Sequence, residues 1–189
     1  MLLLILGLVL FLGIHSVRIL APDWRDRRVV AMGEGPWKGV YSVVSLVGFV
    51  LIIWGFGVAR ADTGVLYDPP TWLRHVAALL MLFSFISLMV FSLPAGRLKP
   101  VLKHPFLVSV KIWAVAHLLA NGETASVVLF GAILAWAVWD RIAVGRRGER
   151  APAPGPAKWD FIAVASGLVL YLLFIWKLHE WLIGVQPIG

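Results

Sequence analysis

Six long apolar runs constrain this chain of 189 residues more than any motif in it does. They lie near Leu2 to Ile19, Val40 to Ala59, Trp72 to Leu93, Pro105 to Ala120, Ala125 to Ala143 and Phe161 to Ile183. A bilayer crossing takes about 17 to 25 predominantly apolar residues when they are helical. The sequence therefore predicts an all-α, polytopic membrane bundle of six transmembrane helices, forming one domain over residues 1–189. The fourth run is the weakest span. It contains Lys111 and His117 and ends at Asn121-Gly122, a turn signal that predicts a tight hairpin with the fifth.

Composition agrees with this reading and removes its rivals. Hydrophobic residues make up 60% of the chain, charged residues only 14%, and there are ten Trp, which is far outside the range of a soluble domain. The apolar surface needs no large internal core, because lipid supplies the apolar surroundings. Cysteine is absent, so disulfides, thiolate-bound zinc, iron–sulfur clusters and thiol redox chemistry are excluded. Any metal must be held by His, Met or carboxylate. The net charge of +7 is not a nucleic-acid signal, because the basic residues sit in short loops between apolar runs.

Those loops set the orientation. The first carries Arg18, Arg25, Arg27, Arg28 and Lys38; the third Arg97, Lys99 and Lys103; the fifth Arg141, Arg146, Arg147, Arg150 and Lys158. Together they hold thirteen of the seventeen Lys and Arg, whereas loops two and four have Arg60 and Arg74. Positive residues stay on the cytoplasmic side, which places the odd loops inside a bacterial inner membrane and both termini on the periplasmic side. The opening MLLLILGL has no basic residues before it and no small-residue cleavage site after it, so it is expected to remain as a helix. Residues 145–160, which include APAPGPAK, read as a Pro-rich cytoplasmic linker that only spans to the last helix. Ser42, Ser45 and Gly48 form a small-residue stripe suited to close helix packing. Trp136, Trp139, Trp176 and Trp181 are explained by interfacial belts and lipid contact. There is no internal repeat of the kind transporters carry.

Ionisable groups inside a membrane are costly, so each is a functional hypothesis by default. On this topology His104 falls at the cytoplasmic interface, His75 and His179 near the outer one, and only His15 and His117 lie deep. His15 is about 6 Å to the cytoplasmic side of mid-helix and His117 about 5 Å to the outer side. Their helices run in opposite directions and side chains lean toward their own N-termini, so the two imidazoles lean toward each other. Two neutral imidazoles on facing helices suit a six-coordinate b-type haem, with Arg18 and Lys111 placed to meet its propionates. Spacing alone leaves open the alternative that each histidine is an interhelical hydrogen-bonding contact. His75, His104 and His179 read as interface anchors. A zinc site drawn from His75, His179 and Glu180 lacks the spacing such sites use, and Met81 and Met89 read as core fillers.

The segments FLGIHSVRI, PPTWLRH, GRLKPVLKHPFLVSVKIWAVAHLLANG and ASVVLFG together resemble the NnrU family, over nearly the whole chain up to about Arg141. KHP, KIWAVAH and LLANG are the most specific elements. Members are polytopic bacterial membrane proteins linked with nitric oxide and denitrification genes. The plant and cyanobacterial zeta-carotene isomerase is similar; it is a membrane enzyme that binds haem b and isomerises a cis double bond. The resemblance implies haem b as cofactor and iron as metal, held by His15 in the early HS motif and His117 in the WxxAH motif. The isomerase has a cysteine beside the Trp of that motif, implicated in ligand switching, and Ala114 stands there in this chain.

The expected function is a bis-His haem protein of the membrane with a redox or nitric-oxide-related role. Its partners are the lipid bilayer, haem, and nitric oxide or an apolar polyene, with an oligomer allowed and no nucleic acid. Haem-dependent isomerisation of a carotenoid-like polyene is one alternative, and a non-catalytic accessory or transporter-like protein is another.

Overall fold

The computed structural model describes residues 1–187, and they are almost entirely helical. In chain order the helices are α1 (Leu2–Leu20), α2 (Pro22–Met32), α3 (Glu34–Asp62), α4 (Trp72–Ser92), α5 (Leu98–Leu102), α6 (Pro105–Ala120), α7 (Thr124–Arg146) and α8 (Lys158–Leu173). A π-helical turn, Phe174–Leu178, continues α8 without a break into α9 (His179–Ile183). Five of these stretches are long and apolar enough to cross a membrane: α1, α3, α4, α7 and the continuous Lys158–Ile183. Helix α6 is apolar but has only 16 residues, or about 24 Å at the helical rise.

The outward faces confirm what the sequence requires of the surroundings. Trp176 and Trp181 are 77% and 76% exposed, and Val43, Leu46, Ile53, Trp54 and Phe161 also point outward. Apolar surface on this scale is incompatible with water and ordinary for a chain in lipid. The protein is a multi-pass helical membrane protein.

Helix α2 was not visible as an apolar run, because the first loop is polar. Pro22 at its first position has no N–H to satisfy, and Asp23 complements the helix dipole, so a short helix starts there for local reasons. It leans on α3 through Trp24 and Trp37, whose rings are 5.9 Å apart, with Arg28 over the Trp24 ring.

The contacts divide the chain into two compact units. The first comprises Met1–Tyr67 and Glu123–Trp136. In it α1 and α3 run antiparallel at very close range. A Cβ on Gly48 would lie 2.7 Å from the Phe11 backbone nitrogen, and one on Gly7 would lie 2.6 Å from that of Ile52. Leu4 meets Gly55 in the same way. The contact positions on α3 are therefore Gly48, Ile52, Gly55 and Ala59, all buried, at alternating spacings of four and three. The small-residue stripe seen in the sequence does pack, but it runs toward the C-terminus, and Ser42 faces outward. Phe56 and Phe130 bring the first half of α7 against α3, with ring centroids 6.4 Å apart.

The second unit comprises Asp68–Gly122 and the chain from Ala137 onward. Helix α4 lies against α6 and α8. Ser84 on α4 donates to the Ser109 carbonyl at 3.0 Å and pairs with its hydroxyl at 3.1 Å, so a buried polar contact is fully satisfied. Gly167 lets α8 approach the backbone of Ile86. The Pro-rich linker does more than span. Gly155 donates to the Gly96 carbonyl at 3.1 Å, and the Asp160 carboxylate accepts from the backbone N–H groups of Arg97 and Leu98 at 2.8 and 3.0 Å.

Candidate functional site

His15 lies within the first unit, four residues beyond Phe11 on α1. Its Nδ1 is 2.6 Å from the Phe11 carbonyl, one turn back. A carbonyl can only accept, so this contact makes Nδ1 the protonated nitrogen and Nε2 the one with a lone pair. Three aromatic rings surround the imidazole. Phe11 is 4.3 Å away, Tyr41 on α3 is 5.2 Å away, and Trp136 on α7 meets it edge to face at 5.9 Å and 86°.

Two polar atoms at this level are buried without a hydrogen-bond partner, Ser45 Oγ and Trp136 Nε1. The α1–α3 register pairs Phe11 with Gly48, which puts Ser45, one turn from Tyr41, at the height of His15. A buried donor left without an acceptor costs about 1–3 kcal/mol, so two at one level mark a place where an acceptor is expected. Sequence reading assigned Trp136 to lipid contact. The structure corrects this: Trp136 packs on His15. Helix α7 is apolar on every side, so nothing in its pattern distinguished the inward tryptophan from Trp139.

His117 lies within the second unit, near the end of α6. It repeats the device of His15, with Nδ1 2.8 Å from the Trp113 carbonyl one turn back. The Trp113 ring is 5.0 Å away, and Asn121 caps the helix by donating to the His117 carbonyl at 2.9 Å. Ala114, one residue after that Trp, is completely buried. His117 also faces His179, with ring centroids 6.4 Å apart and planes 26° from parallel. Sequence reading treated His179 as an interface anchor and missed this pairing, because the π-helical turn that precedes it shifts its face relative to a regular helix.

The remaining candidates are placed as follows. Arg18 is in the last turn of α1, one turn after His15 and exposed; Lys111 is half-buried on α6, six residues before His117. His75 is exposed in the first turn of α4. His104 precedes α6, and burial, with Arg141 adding to it, lowers its pKa. Among the described residues no group of three or more His, Cys, Asp or Glu side chains is close enough to hold a metal ion.

At the far end of the first unit, Glu123 pairs in a single antiparallel bridge with Val65 and bonds Arg60 at 3.1 Å and Ser126 at 2.9 Å. Burial pushes its carboxyl up, but the bonds from Ser126, from its own backbone and from Arg60 outweigh this, and its pKa is lowered. Tyr67 is raised by burial and by the nearby Glu123 charge.

The family model described as NnrU protein matches residues 3–187 of the chain. The chain belongs to the NnrU family. The match extends past Arg141, where the motif resemblance ended, and takes in α8, the π-helical turn and His179. No curated protein and no solved structure matches this NnrU-family chain significantly.

Proposed function

We propose that this protein binds one haem b in the membrane, with His15 and His117 as axial ligands, and serves redox or nitric-oxide chemistry of denitrification in a bacterial inner membrane. The observation that carries the reading is the same arrangement made twice. Each imidazole gives Nδ1–H to the carbonyl four residues back, which fixes the tautomer and presents Nε2 as donor. That is the form iron requires of a histidine ligand. The pairing of these two residues rests on their motifs and on this shared device, one in each unit.

The remaining side chains have definable tasks. Phe11, Tyr41 and Trp136 hold the His15 ring and keep water from it. Trp136 Nε1 and Ser45 Oγ are donors for an acceptor atom of the bound group. Arg18 and Lys111 are cations for its carboxylates. Bound there, haem would supply an iron that exchanges one electron or, with one axial position open, takes a diatomic gas. Ala114 weighs against thiol exchange at the iron, and with it against the isomerase chemistry of similar enzymes.

The test is spectroscopic. Protein purified in mild detergent from haem-supplied cells is expected to show a Soret band, and sharp α and β bands after dithionite. A preparation that stays colourless after supplementation with haem contradicts the reading.

A further inference from the structure

The elbow between α5 and α6 is a point of backbone strain. Lys103 takes φ 60° and ψ −56° at the centre of a three-residue turn, which the His104 N–H closes on the Leu102 carbonyl at 2.6 Å. That is the rare form of the γ-turn, and backbone held in such a region gathers at ligand clamps. The turn leaves the Lys103 side chain exposed. It also sets His104 beside the end of α7, where the imidazole feels the charges of Arg141, Arg147, Asp140 and Glu149. All of these residues lie in the second unit.

Charge at this end is not balanced within the protein. Residues 97–104 and 140–150 hold seven Lys and Arg against two carboxylates, Asp140 and Glu149. Both carboxylates go to Arg147, at 3.8 and 2.9 Å. Lys99 is taken by the Phe91 and Leu93 carbonyls at the end of α4. Lys103 and Arg141 are left without an acidic partner among the described residues. Arg141 lies along α7 toward its C-terminal end, since a Cβ on Gly145, one turn further on, would come within 3.4 Å of its Nη1. A cation takes that course to carry its charge out of lipid.

The neighbouring surface is apolar and open. Phe91 at the end of α4 and Phe106 at the start of α6 have rings 5.1 Å apart, and both are exposed. Val101, between the strained turn and the end of α4, is 72% exposed. Unpaired cations at the edge of an exposed apolar surface fit a molecule with a phosphate at one end and hydrocarbon at the other.

We infer that Lys103 and Arg141 hold the phosphate of an anionic phospholipid, whose acyl chains cover Phe91, Phe106 and Val101. The guanidinium offers paired N–H donors to phosphate oxygens and the ammonium a point charge. None of the proposed haem ligands takes part.

Binding of phosphatidylglycerol, phosphatidylcholine and inorganic phosphate to the full chain in mild detergent tests this. It is read by native mass spectrometry and by the shift each gives in the unfolding midpoint of the same protein without additive. Wild type is expected to bind phosphatidylglycerol about tenfold or more tightly than phosphatidylcholine. Lys103→Gln/Arg141→Gln should weaken phosphatidylglycerol binding roughly 10–30-fold and lose the preference. Arg27→Gln/Arg74→Gln removes the same charge from exposed positions elsewhere and should keep it. Equal affinity of wild type for the two lipids, which needs no variant, overturns the inference. An equal loss in both double variants does so too, because general surface charge would then account for the binding. Stabilisation by phosphate equal to that by phosphatidylglycerol likewise overturns it, since a free anion would suffice.

Discussion

His15 and Trp136 meet edge to face, their rings 5.9 Å apart at 86°, and the indole N–H of Trp136 is buried with no acceptor. The contact joins the one deep histidine of α1 to a donor that is idle within the protein. Trp136→Phe keeps the ring and deletes the N–H. Thermal unfolding of the haem-free variant in detergent is expected at or slightly above the wild-type midpoint, since the burial cost disappears. Haem affinity should fall roughly tenfold or more, the worth of one hydrogen bond to a charged acceptor. A lower midpoint with unchanged haem affinity would assign Trp136 to packing alone.

The helical scaffold was legible because apolar runs of membrane length leave few other structures. What the sequence hid has specific causes. Helix α2 is polar, so no apolar run announced it, and only Pro22 and Asp23 marked its start. Trp136 sits on a helix without a polar side. His179 follows a π-helical turn, so counting along a regular helix gives it the wrong face. His15 and His117 were legible as costly residues in lipid, but their tautomers depend on carbonyl contacts that require coordinates.

Gly48 carries the α1–α3 contact, because its missing Cβ is the space that the Phe11 backbone occupies. Gly48→Val should force these helices apart and destabilise the first unit by about 1–3 kcal/mol, as overpacking does. Gly57→Val on the same helix, where nothing lies within 4 Å, is the matched control. Equal unfolding midpoints for the two variants would show that the close approach is not a source of stability.

The Glu123 carboxyl titrates below its ordinary value of 4.5 when folded. A lowered acid pKa contributes stability that is present above the unfolded value and lost as pH falls through the folded one. Unfolding midpoints measured from about pH 6 down to about pH 3 should therefore decline for wild type. Glu123→Gln should start lower and decline less. Parallel curves would remove Glu123 from the acid response.

Asp160 accepts two backbone N–H groups from the start of α5, at 2.8 and 3.0 Å. Asp160→Ala leaves both without that acceptor and should lower stability by about 1 kcal/mol, the exposure of Arg97 keeping the cost small. The sharper readout is limited proteolysis after Arg97 and Lys103. Cleavage there should accelerate in the variant, and an unchanged rate would mean that the linker does not hold this turn.

The central claim is tested most directly at His117, one of the two proposed axial ligands. Haem content per protein and the ferric absorption spectrum of His117→Ala should be compared with those of wild type purified in parallel. The low-spin spectrum is expected to be lost and haem content to fall severalfold. A His117→Ala protein that retains wild-type haem content and an unchanged low-spin spectrum would contradict it.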